Sequence, residues 1–153
     1  MTEENPDFAV TEGTEGLSEI KTVHYYKVPA TEYFLDIKHG TVVADKLVQN
    51  EGDETKQICK ILRYGMDSGQ LQFKAALYSE TTSKYIVIGQ DNQILLDDNP
   101  MWFEAVTYTC FIMFKKNDMY LAYDNETRQI VAANSEFKFE ELPVVTAADE
   151  SGN

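Results

Sequence analysis

Three stretches of this chain follow one plan: an aromatic-led strand, a polar turn, then a short aliphatic strand. They are YFLDIKHGTVVA (33–44), YIVIGQDNQILL (85–96) and YLAYDNETRQIVA (120–132). Tyr33 precedes Val42 by nine residues, Tyr85 precedes Ile94 by nine, and Tyr120 precedes Ile130 by ten. Repetition of this kind constrains the fold more than composition does, because each copy must bury the same face against its neighbours. The turns HG, DN and DNET hold residues that tolerate positive φ or bond side chain to backbone. Each stretch is therefore predicted to be a hairpin, with Tyr33, Tyr85 and Tyr120 at equivalent positions.

The flanks repeat as well. A strand precedes each hairpin, HYYKV (24–28), LQFKAAL (71–77) and CFIMF (110–114). Another follows it, ICKIL (58–62), WFEAV (102–106) and FKFEEL (137–142). The runs are short, apolar or alternating, and separated by Gly, Asn and Asp, as in antiparallel β proteins. No long segment places apolar residues at helical spacing. Twelve strands in three units of four predict an all-β chain with the β-trefoil plan. In that plan six strands close a barrel, which removes sheet edges, and the remaining hairpins cap one end. Leu35, Val43, Phe73, Val87, Leu95, Phe103, Phe111, Leu121, Val131 and Phe139 are expected to fill much of the core. The competing reading is another small β-barrel, a lipocalin-like or fatty-acid-binding cup with up-and-down strands and no threefold repetition.

At 153 residues the chain fits one domain. A domain near this size buries roughly 68–70% of its unfolded surface and needs no disulfide or metal. The formal net charge is −13, much of it at the ends. Residues 1–20 hold six acids, no base and few apolar side chains, so they are expected to be a disordered acidic tail. Residues 144–153 read as a second frayed tail, leaving 21–143 as the folded domain. That core is mildly acidic. It lacks the clustered Lys and Arg that nucleic acid, heparin-like sulfated sugars or anionic membranes require. Cys59 and Cys110 both sit in apolar runs and are expected to be buried free thiols. MTEENPDFAV has neither the basic start nor the apolar stretch of a signal peptide, so synthesis in the cytoplasm is expected. No apolar run reaches the ~18 residues of a membrane span.

Signs of catalysis are few, and no cofactor, metal or catalytic residue is expected. His24 begins a strand and His39 sits in a turn, neither at metal-ligand spacing from Cys or an acid. There is no phosphate-binding glycine loop, nucleophile elbow or paired-cysteine motif. Asp97–Asp98–Asn99 lacks the spacing of a calcium loop and reads as a solvated turn before Pro100. Glu51, Asp53 and Glu54 read as a flexible loop. Asn125–Glu126–Thr127 matches the glycosylation pattern but reads as a tight turn. Trp102, beside Phe103 and Val106, is placed in the core or at the barrel base.

YFLDIKHGTVVADKL resembles the first repeat of the interleukin-1 family cytokines, where an aromatic-Leu strand leads through a turn to a short "VA" strand. SEFKFEEL resembles their closing strand, and KYIVIGQDNQILLDDN shares the middle outline. The resemblance spans roughly 22–142. Growth-factor trefoils carry a basic patch that this core lacks, and the QxW repeats of lectin trefoils are absent. The resemblance implies a monomeric, leaderless signalling ligand, extracellular after unconventional release. It implies binding, as agonist or antagonist, to the immunoglobulin-like ectodomain of a protein receptor, with an accessory chain recruited afterwards. Contact would come from strand-connecting loops, which vary freely because the closed barrel does not need them. The candidate segments are 49–56, 79–83 and 97–101, with Gln49, Asp53, Glu54, Glu80, Thr82, Asp97 and Asp98 as candidate contact residues. Asp7 is a candidate processing point. The alternative is an intracellular protein-binding module, either a protease inhibitor or a cytoskeletal adaptor.

Overall fold

A computed structural model describes residues 19–47, 53–67 and 69–144. Twelve strands run through them in chain order. They are β1 (Glu19–Lys27), β2 (Tyr33–Lys38), β3 (Thr41–Lys46), β4 (Ile58–Asp67), β5 (Gln70–Ser79) and β6 (Lys84–Ile88), followed by β7 (Ile94–Asp97), β8 (Phe103–Thr107), β9 (Phe111–Lys116), β10 (Met119–Asp124), β11 (Gln129–Ala133) and β12 (Phe139–Pro143). Among the described residues there are also two short 3₁₀ turns, Asp53–Lys56 and Gln90–Asn92. β1 begins earlier than its sequence suggests. Glu19 and Ile20 already pair with Arg63 and Leu62 of β4. Of the proposed tails, residues 1–18, with Asp7, and residues 145–153 lie outside the described residues.

Six strands close a ring of antiparallel pairs. β1 pairs with β4, β4 with β5, β5 with β8, β8 with β9, β9 with β12, and β12 with β1 again. The other six form the hairpins β2–β3, β6–β7 and β10–β11. Each hairpin is tied to the strand before it by an equivalent pair: Lys27 opposite Phe34, Tyr78 opposite Tyr85, and Lys115 opposite Tyr120. The hairpin registers agree, with Leu35 opposite Ala44, Ile86 opposite Leu96, and Leu121 opposite Ala132. This order fits the trefoil plan. It also corrects the equivalence by one residue, since the partner of Tyr85 and Tyr120 in the first unit is Phe34. Tyr33 instead stacks on Tyr123 of the third hairpin, with ring centroids 6.2 Å apart.

The turns obey their local chemistry. His39 and Gly40 both take positive φ in the two-residue β2–β3 turn, as a primed hairpin turn demands. Asp91 and Asn92 do the same before β7. In the third hairpin the positive φ falls on Arg128, just past the DNET segment. The Arg128 carbonyl accepts a hydrogen bond from Ala44 N at 3.1 Å, which joins the third hairpin to the first.

The barrel is filled. Tyr26, Leu35, Ile58, Ala75, Leu77, Ile86, Phe103, Ile112, Phe114, Leu121 and Phe139 are fully buried in one cluster. Tyr26 meets Phe114 and Phe139 edge to face at 5.5 and 6.4 Å. A cup-shaped carrier would need a hollow where these rings meet. Of the expected core, Leu35, Val87, Phe103, Leu121 and Phe139 are buried. Val43, Phe111 and Val131 are only half-buried. Phe73 and Leu95 are each 43% exposed. The hairpin errors are a slip of one residue. Val42, Ala44, Ile94, Leu96 and Ile130 pack on the core or belong to it, not their neighbours. A slip of one reverses the face of every side chain in a strand.

Trp102 lies outside the barrel. It covers Cys59, Ile61 and Ala76 on the outward face of β4 and β5. The Arg63 guanidinium lies over its ring at 4.2 Å, a favourable cation–π placement. Cys59 is buried there as a free thiol, whereas Cys110 is exposed, because β9 begins only at Phe111.

Candidate contact face and barrel mouth

The loop between β3 and β4 is held down by charge. Asp36 on β2 is 0% exposed and Lys56 is 1% exposed. The Lys56 Nζ stands 3.3 Å from Asp36 Oδ2. Thr55 Oγ1 donates to Asp36 Oδ1 at 2.5 Å, and the Ile37 backbone N–H donates to the same oxygen at 2.8 Å. A buried pair of this kind offsets its desolvation only with such added hydrogen bonds. It fixes where the preceding turn sits.

That turn carries Glu54, and the anchor sets it beside the β5–β6 connection. Glu54 and Glu80, both exposed, line one groove of about 220 Å³ with Val23, Gln57, Cys59 and Thr81. Burial, aided by the nearby Glu80 carboxylate, pushes the Cys59 thiol above its usual range and keeps it protonated. The β5–β6 connection is ordered by Ser79. Its carbonyl accepts from Ser83 N at 2.7 Å and its hydroxyl accepts from Thr82 N at 3.4 Å. One residue on, Lys84 binds Asp98 at 2.6 Å. Asp97 accepts from Asn99 N at 3.0 Å, closing the turn after β7.

Glu54, Glu80 and Asp98 thus belong to neighbouring loops, with Thr82 half-buried and Asp97 exposed between them. Asp53 starts the turn, and its side chain lies outside the described residues, as does Gln49. His39 is exposed in its turn.

A second constellation escaped the sequence reading. At the end of the barrel away from the hairpins, Glu141 of β12 accepts from Tyr26 Oη at 2.8 Å and from Lys60 Nζ at 2.7 Å. His24 Nε2 lies 3.9 Å from the same carboxylate oxygen and 2.8 Å from Thr22 Oγ1. Burial, and then the Glu141 charge, push the Tyr26 hydroxyl far above its ordinary range, so it stays a donor. Burial lowers the pKa of His24. Lys60 adds to this, while Glu141 and the Leu142 backbone oppose it. The only sequence signal for this cluster was charge set among the apolar residues of two strands, Lys60 in ICKIL and Lys138, Glu140 and Glu141 in FKFEEL.

Among the described residues no group of three or more His, Cys, Asp or Glu side chains is placed to hold a metal ion. No described helix is long and apolar enough to cross a membrane.

The fold defines the class: an all-β chain with a closed barrel and three added hairpins. The solved structure of hisactophilin, itself described as similar to interleukin-1 beta and fibroblast growth factor, superposes with a TM-score of 0.57. The likeness covers 80% of this chain and 99% of hisactophilin at 16% identity, which speaks to fold alone. No family model and no curated protein matches the sequence.

Proposed function

We propose that the chain is a β-trefoil acting as a monomeric signalling ligand of interleukin-1 type. In this reading its loop face engages an immunoglobulin-like receptor ectodomain, and an accessory chain joins afterwards. The observation that carries the reading is the convergence of the predicted contact loops. Glu54 and Glu80 flank one groove, and the Lys84–Asp98 pair adjoins it along the chain. The loops are presented by a filled barrel, which leaves function to the surface. The likeness to hisactophilin, and through its description to interleukin-1 beta, supports the same class. An acidic groove calls for a basic patch on the partner, which would speed association more than it adds affinity. A biosensor panel of receptor ectodomains tests this. Saturable binding to one member is expected, and silence across the panel would remove the proposal.

A further inference from the structure

The barrel mouth holds a cavity separate from the Glu54–Glu80 groove. It is about 150 Å³ and is lined by Lys60, Leu62, Phe73, Ala105 and Thr107. Its walls are largely apolar, with Lys60 and Thr107 as the polar exceptions. A cavity of roughly this volume holds one benzene-sized ring. Lys60 has only 10% of its side chain exposed. Its carboxylate partner among the described residues, Glu141, is shared with Tyr26, whereas an ammonium offers three protons. Phe73, 43% exposed, stands at the rim with its ring centroid 5.5 Å from that of Tyr64. A ligand ring entering here would cover the exposed part of Phe73.

We propose that the barrel mouth is a binding site for a small carboxylate with an apolar body, its ring between Leu62, Phe73 and Ala105 and its carboxylate on the Lys60 ammonium. Glu141 and Tyr26 hold Lys60 in place. Thr107 offers a second donor to the same head group. A charge-assisted hydrogen bond to a withdrawn ammonium is stronger than one between neutral groups.

Sodium benzoate is the direct probe, with benzyl alcohol and benzylamine as neutral and cationic analogues of the same size. Titration of the full chain, followed by methyl and amide NMR, should move Leu62, Ala105 and Thr107 with benzoate. Affinity is expected in the millimolar range for so small a ligand, about tenfold tighter than for benzyl alcohol. The chain carries a net charge of −13, so its overall field favours the cation. A preference for the anion therefore reads the local ammonium. Lys60→Met should erase that preference. Ala105→Leu, which keeps the Lys60–Glu141 pair and fills the cavity, should abolish binding while the spectrum stays folded. The proposal is overturned if benzoate moves no mouth residue, if benzylamine binds as well as benzoate, or if Ala105→Leu binds like the parent. None of these outcomes depends on the receptor reading.

Discussion

Two buried charge clusters decide the most at the residue scale. Asp36 and Lys56 are almost wholly withdrawn from water and form an ion pair at 3.3 Å. Removing the ammonium leaves the Asp36 carboxylate buried without its counter-ion. Lys56→Met is expected to cost about 3–5 kcal/mol in urea denaturation, and Asp36→Leu with Lys56→Met together much less. Equal losses for the single and double variants would show that the pair is not the anchor. His24 gives a pH signature. Its folded pKa is lowered below the ordinary 6.5, so the unfolded chain binds the proton first. Its contribution is whole above 6.5 and is lost as pH falls through that value towards the folded pKa. The urea midpoint should fall between pH 7.5 and 5.5, and His24→Gln should flatten that fall. An unchanged slope in the variant would place the titration elsewhere. None of these charges was legible in the sequence as a site. Asp36 lies within β2 and Lys56 in the 3₁₀ turn before β4, and Tyr26 meets Glu141 across 115 positions. Only the folded register brings such groups together.

The element scale shows what a repeat can and cannot reveal. All twelve strands were visible, because aromatic and β-branched runs alternate with turn residues that accept positive φ. Their phase was not. VVA, ILL and IVA place aliphatic residues on both faces, so no alternation marks which one enters the core. The start of β1 was hidden for the opposite reason, since Glu19 to Val23 are all exposed and Glu19 is held by Arg63 at 2.6 Å. The corrected phase makes a sharp prediction. Leu35, Ile86 and Leu121 are equivalent and fully buried, so each replaced by Ala should lose roughly 2–5 kcal/mol. Leu95→Ser, on the outer face of β7, should stay within about 0.5 kcal/mol. Calorimetry of the four variants separates this register from one slipped by a residue, in which Leu95→Ser would be the costly change.

For the whole molecule, a closed and filled barrel leaves its loops and its mouth as the places for function. Closure comes from β12 pairing with β1, which joins the last strand to the first. Tyr26 and Phe139 then pack across that seam. Losing β12 would reopen two edges at once, the partners of β1 and β9. The Asp36–Lys56 anchor and the turn after Ser79, at the end of β5, fix the loop face, and the exposed carboxylates on it can change charge while the fold stays. Reversal of Glu54 and Glu80 should leave the melting temperature within about 2 °C while altering recognition.

Binding of the wild-type chain and of the Glu54→Lys/Glu80→Lys variant to an immunoglobulin-like ectodomain, in low and high salt, addresses the account most directly. Saturable binding by the wild type is expected, weakened at least about tenfold by the reversal through slower association and less affected by salt afterwards. Equal binding by both proteins, or none by either, would contradict the assignment of this face to a receptor.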